Sequence, residues 1–152
     1  MALRIRGIRP MVDGNVTILP EIDVDYLIKQ VPSLSSVRFR HYSWERLGSR
    51  IAAELLDPIS GGSAGARAWQ RTRWEMFRLI GTCDSTHSET RSKLASSPPG
   101  STGDLVAQLA LWLSGVVGIP MSVAASLVSI ALFAVAEESV NGLLPSDSEM
   151  VG

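Results

Sequence analysis

No lysine or arginine follows Lys93 in this chain of 152 residues, and no charge of either sign interrupts the 32 positions from Leu105 to Ala136. A stretch without cations is excluded as a polyanion surface, so any nucleic-acid or headgroup contact must come from the first part of the chain. The single cysteine, Cys83, excludes an internal disulfide and cannot make a zinc site alone. That thiol count fits a reducing compartment. Charged residues are 19% and hydrophobic ones 45%, which excludes a disordered polyelectrolyte. No G-x-G-x-x-G and no Gly-Lys-Ser/Thr ending of a phosphate loop occurs. Met1 to Arg9 lack the apolar core of a secretory signal, so export is not expected.

What is present is a strong polarity along the chain. Fourteen basic against ten acidic side chains leave residues 1–93 at +4, whereas residues 94–152 carry five acids and no base, −5. Twelve of the fourteen bases are arginine, whose forked guanidinium suits phosphate and carboxylate; a GC-rich coding sequence yields the same bias.

The basic part reads as a small α+β head over residues 1–81. Leu3-Arg4-Ile5-Arg6 and Val37-Arg38-Phe39-Arg40-His41-Tyr42 alternate with the period of half-buried strands. Asp13-Gly14 fits a tight hairpin turn leading to a return strand, Val16–Leu19, and explains the Asn15-Val16-Thr17 sequon without glycosylation. Asp23 is placed to cap a helix over Val24–Gln30, stopped by Pro32. Ser43 opens a second helix to about Leu56, with Trp44, Leu47, Ile51 and Leu55 on one stripe and Pro58 as its stop. A third helix covers about Ala64 to Ile80. Its apolar stripe is Trp69, Met76, Phe77 and Ile80, and Arg67, Arg71, Trp74 and Arg78 share another face. If the outer strands pair, Arg4, Arg6, Arg38 and Arg40 share a sheet face. Together these residues predict a basic surface, which reads first as a plain solvated face, next as a face for anionic lipid and last as one for nucleic acid.

Residues 82–103, rich in Ser, Thr, Pro and Gly, read as a flexible polar linker. An apolar helical hairpin over residues 104–144 and an acidic tail over 145–152 complete the division. Hydropathy between Leu105 and Ala136 reaches the level of membrane windows. Gly118-Ile119-Pro120 divides it into arms, Leu105–Val117 and Pro120–Ala136, because proline suits a helix start. An arm of about 15 residues rises ~22 Å, short of a ~30 Å hydrocarbon core. Three readings follow: a hairpin entering one leaflet, one kinked span, or a buried hairpin in a soluble fold. Neither arm has a charged stripe, so something must cover both, and the small head offers little apolar area for it. The candidate contact residues are Leu109, Trp112, Leu113, Val116, Pro120, Val123, Leu127, Ile130 and Phe133.

Leu113-Ser114-Gly115-Val116-Val117-Gly118-Ile119-Pro120-Met121-Ser122-Val123 resembles the Leu-Ser-x-x-x-Gly-Ile-Pro-Met stretch that opens the membrane-embedded region of caveolins. The resemblance spans 11 of 152 residues and implies a membrane-embedded turn. The long apolar C-terminal helix of that family and its acidic signature segment have no counterpart here, and helix capping alone also produces Gly-Ile-Pro before an apolar helix.

Catalytic candidates are sparse. Cys83, Asp84, Ser85, His87 and Glu89 cluster in the linker, where a Cys-x3-His spacing offers two metal ligands or a thiol beside a base, but four ligands are needed for structural zinc. Gly61-Gly62-Ser63-Ala64-Gly65 before a helix offers backbone N–H groups to an anion, and equally a flexible helix start. No catalytic, cofactor or metal residue is expected. The expected function is non-catalytic: association with membrane lipid or a protein partner through the hairpin, as a homo-oligomer, the Arg-rich head lying in the cytoplasm and facing anionic lipid or a partner. The alternative is a soluble, cytoplasmic accessory protein that uses the hairpin for homo-oligomeric or heteromeric assembly. Nucleic acid is the weakest partner class.

Overall fold

Asp23 caps the first helix as its position predicts. The computed structural model describes residues 22–34, 44–60, 64–81, 85–96, 100–138 and Leu143. Helix α1 spans Val24–Gln30, and its Asp23 carboxylate accepts from the Tyr26 N–H at 3.2 Å. The Asp23 N–H in turn donates to Thr102 Oγ1 at 2.8 Å, so the start of α1 is tied to a residue 79 positions away.

Helices α2, Trp44–Ser60, and α3, Ala64–Gly81, form the most extensive helix pair. The expected α2 stripe is displaced. Trp44 and Leu47 are buried, but Ile51 is only partly so and Leu55 is exposed; the inward row is Trp44, Gly48, Ala52 and Leu56. That row is an i+4 ridge, which packs across another helix rather than along it. Small residues make the crossing possible. A methyl at Gly48 would overlap the Trp69 indole, and one at Gly65 would overlap the backbone of Ala52 and Ala53. On α3 the expected Trp69, Met76 and Ile80 are buried and Phe77 is half-buried. Helix α2 also continues past Leu56, through Pro58 to Ser60; proline costs one ladder hydrogen bond but holds a helical φ.

The stretch after α3 holds a short turn at Ser85–His87 and then α4, Ser88–Ser96. Leu94 is buried, and Arg91 Nη1 donates to the carbonyls of Arg78 at 3.0 Å and Leu79 at 3.2 Å. These carbonyls belong to the last turn of α3, where acceptors lack intrahelical partners and a cation is favoured.

Helix α5, Thr102–Leu113, starts at a Ser101 cap that accepts from the Asp104 N–H at 3.1 Å. It ends in a single wide turn with i→i+5 character, Ser114–Gly118, where Gly118 takes φ +78°. Extended Ile119 follows, then Pro120, whose carbonyl accepts from the Ala124 N–H at 2.9 Å to open α6, Met121–Glu138. The chain turns through 112° at this break. The break falls where Gly118-Ile119-Pro120 predicts it.

Two expectations are corrected. The described residues are all-α, six helices with no strand, so the α+β class does not hold. The stretches read as strands, Leu3–Arg6, Val16–Leu19 and Val37–Tyr42, lie outside the described residues, and four to six alternating residues are a weak signal beside helical patterns of twelve to eighteen. Nor is the chain too small to enclose an uncharged helix. Helix α6 contacts α1, α2, α3 and α5, and every side chain from Leu127 to Val135 is buried. Trp44 and Phe133 rings meet at 5.8 Å in this core. One apolar-all-round helix can be covered when the others each give it one face.

Candidate interaction face at the elbow

The burial of α6 leaves the elbow between the arms uncovered, together with Ala107 and Gln108 on the outer face of α5. Leu111 is 66% exposed and Met121 is 46% exposed, while Gly115, Gly118, Pro120 and Ser122 are also exposed. Trp112, Val116, Val117 and Ile119 are partly buried. No charge lies anywhere in this segment. Side chains at Gly115 and Gly118 would meet nothing within 4 Å, so these glycines are not demanded by internal crowding. Gly118 is demanded by its positive φ, a region that costs other residues ~1 kcal/mol or more.

Beside the elbow runs the Arg/Trp face of α3. Arg71 Nη2 donates to the Val116 carbonyl at 3.3 Å, pinning the wide turn to α3. The Arg71 side chain stays 54% exposed, and Trp74 is 51% exposed with its ring stacked on Phe77 at 6.1 Å. Arg67, one turn earlier, is exposed too, and Arg78 is half-buried. Arg67, Arg71 and Trp74 are exposed on the face that their spacing gives, while Arg78, at the end of that row, is half-buried beside Glu75. Arg4, Arg6, Arg38 and Arg40 lie outside the described residues.

Beneath this face lies a buried polar network. Glu75 Oε2 is 3.6 Å from Arg71 Nη2, and Glu75 Oε1 is 3.7 Å from Arg78 Nη1 and 2.5 Å from His87 Nε2. The His87 ring meets Trp112 of α5 edge-on at 5.1 Å. A carboxylate this buried is tolerable because cations and a ring N–H compensate it. His87 is therefore placed by Glu75 and Trp112. Cys83 and Asp84, its expected companions, lie outside the described residues, as do Gly61, Gly62 and Ser63; Ser85 and Glu89 are exposed. Among the described residues no three His, Cys, Asp or Glu side chains gather as metal ligands.

Of the expected contact residues, Leu109, Leu113, Val123, Leu127, Ile130 and Phe133 are buried in the chain's own core. Trp112, Val116 and Pro120 reach the surface, at or beside the elbow. Sequence reasoning missed Glu75, His87 and Leu111 as parts of this region, whereas Ile119 and Met121 stood within the Leu113–Val123 stretch. Glu75 was readable, four residues after Arg71 and three before Arg78. Leu111 carries no such signal, because hydropathy cannot separate the end of a hairpin from its sides. No single described helix is long and apolar enough to cross a membrane; Thr102–Gly118 and Met121–Glu137 meet that test together, by length and composition only. Comparison with known protein families, characterised proteins and solved structures finds no match for this chain.

Proposed function

We propose that this is a non-catalytic protein that attaches to an anionic membrane surface through its elbow, entering one leaflet without crossing it. The observation that carries this reading is the juxtaposition of the uncharged elbow, exposed at Leu111, Gly115, Gly118, Pro120 and Met121, with the outward Arg71 and Trp74. An apolar tip gains by leaving water, at about 25 cal/mol per Å². Tryptophan favours the headgroup level, and each arginine near an anionic surface adds about 1 kcal/mol. Two copies meeting elbow to elbow would bring their Arg71 side chains together, so charge favours an anionic surface over self-association. Attachment of this kind is reversible and salt-sensitive, and it suits the cytoplasmic leaflet, where anionic lipid concentrates.

The test is flotation with phosphatidylcholine vesicles, with and without phosphatidylglycerol, followed by an alkaline wash. The expected result is binding only with phosphatidylglycerol, release by salt or alkali, and loss in Leu111→Asp and Met121→Asp. Indifference to phosphatidylglycerol, or retention through the alkaline wash, would overturn the reading. A second reading, assembly with a protein partner at the same turn, draws on the open space at Gly115 and Gly118, which admits close helix approach. A defined oligomer that loses mass in Met121→Asp, without vesicle binding, would favour it.

A further inference from the structure

Among the arginines of the α3 face, Arg71 is held at one end and open at the other. Its Nη2 donates to the Val116 carbonyl at 3.3 Å, in the last turn before the break, where carbonyls lack intrahelical partners and a cation is favoured. Among the described residues its Nε and Nη1 meet no partner, and the side chain is 54% exposed. Arg67 and Arg78, before and after it along α3, each engage a further group. Arg71 and Arg78 also approach the same Glu75 carboxylate, at 3.6 Å and 3.7 Å. Two cations share one anion, so the charge of Arg71 is partly offset while its outward N–H groups are unused.

That arrangement suits a discrete phosphate better than a diffuse negative field. A guanidinium is planar and carries its donors on three nitrogens; anchoring one nitrogen fixes the plane and lowers the entropy lost when the others bind. A lysine ammonium has a single nitrogen, which a carbonyl and a phosphate would have to share. The neighbours fit the phosphate of a lipid rather than a free one. Trp74, three residues on, is exposed and steadied by its stack on Phe77, and tryptophan favours the headgroup level. Leu111 and Met121 expose apolar surface at the same elbow.

We propose that Arg71 is the headgroup-binding residue of the elbow: Nη2 stays on the Val116 carbonyl while Nε and Nη1 take the phosphate of one anionic lipid. The inference rests on the membrane reading and adds that a guanidinium, beyond a positive charge, is required at this position. Arg71 then joins the lipid to the backbone of the wide turn. By linkage, a phosphate that orders Arg71 also steadies its hold on Val116, so bound lipid slows opening of the elbow.

The experiment is a titration of the full chain with phosphatidylcholine vesicles containing phosphatidylglycerol, for wild type, Arg71→Lys and Arg50→Lys, over a range of salt. Arg50 is an exposed arginine of α2, outside the elbow. Arg71→Lys keeps the charge, so its affinity should fall with salt in parallel with wild type, yet be about tenfold weaker throughout, the worth of one hydrogen bond to a charged group. Arg50→Lys should bind as wild type does. Amide hydrogen exchange at residues 117–119 should be alike in the two lipid-free proteins, and lipid should slow it in wild type but not in Arg71→Lys at matched occupancy. Equal affinity in Arg71→Lys and wild type, or an equal loss in Arg50→Lys, would overturn the headgroup assignment while leaving the membrane reading intact. Faster exchange in lipid-free Arg71→Lys would reduce the residue to a brace of the elbow and overturn it as well. Absence of wild-type binding would overturn the membrane reading and this assignment with it. An excess of inorganic phosphate at matched ionic strength should leave the chain on the vesicles; release would assign the site to free phosphate and overturn the lipid source.

Discussion

Placing a carboxylate at two points of α6 separates a helix that is the protein's core from one covered by lipid. Leu127 is fully buried and contributes to the centre of the helical assembly. Truncating a buried leucine costs about 2–5 kcal/mol, and stranding an unpaired carboxylate there costs several more. The total is comparable with the whole stability of a domain, about 5–15 kcal/mol. Met121 is 46% exposed and is the first residue of the same helix. Replacing it forfeits roughly half the burial of a methionine, about 1 kcal/mol, while an acid in the first helical turn regains about 0.3–1 kcal/mol from the macrodipole. Leu127→Asp should therefore abolish cooperative unfolding, whereas Met121→Asp should hold its urea midpoint nearly unchanged. Far-UV circular dichroism against urea, in lipid-free buffer, reads both. A Leu127→Asp protein that melts like wild type would refute the core assignment of α6 and restore a head that folds without it.

Other consequences follow from particular contacts. Gly48→Ala should destabilise by about 1–3 kcal/mol in chemical denaturation, because the new methyl collides with the Trp69 indole at the α2–α3 crossing. Gly115→Ala should be neutral or stabilise by up to about 1 kcal/mol, since open space surrounds the position and alanine is the better helix former. Gly118→Ala should cost ~1 kcal/mol or more through its positive φ, seen as a lowered thermal midpoint. Arg91→Met should lower stability by about 1–2 kcal/mol, since it removes two hydrogen bonds that close the C-terminus of α3; hydrogen exchange at residues 78–81 should quicken first.

The local signals that proved readable are those decided within a turn or two of chain. Asp23 caps α1 because a short acceptor two or three residues before free N–H groups needs no tertiary help. Pro120 divides the hairpin because it has no N–H to donate and Gly118 admits a positive φ. The outward placement of Arg67, Arg71 and Trp74 follows from helical periodicity alone. Helix α4 was illegible for the opposite reason. Ser88–Ser96 has little amphipathic pattern, and it is held by Leu94 burial and by Arg91 reaching a neighbouring helix. The His87–Glu75 contact was equally invisible, since its partners are 12 residues apart on different elements.

Composition and spacing by themselves determine that the chain is basic then uncharged, that it breaks at Gly118-Ile119-Pro120, and that one face of α3 is cationic. They also determine that both apolar arms require cover, because a helix without a charged stripe is poorly solvated on every side. What provides that cover is a tertiary matter. It depends on Gly48 and Gly65 letting α2 and α3 cross closely, and on α1 and α5 closing round α6. Hydrophobic burial is non-directional, so the same side chains serve equally against lipid or protein, and only the arrangement of the other helices assigns Leu127 to the interior and Met121 to the surface.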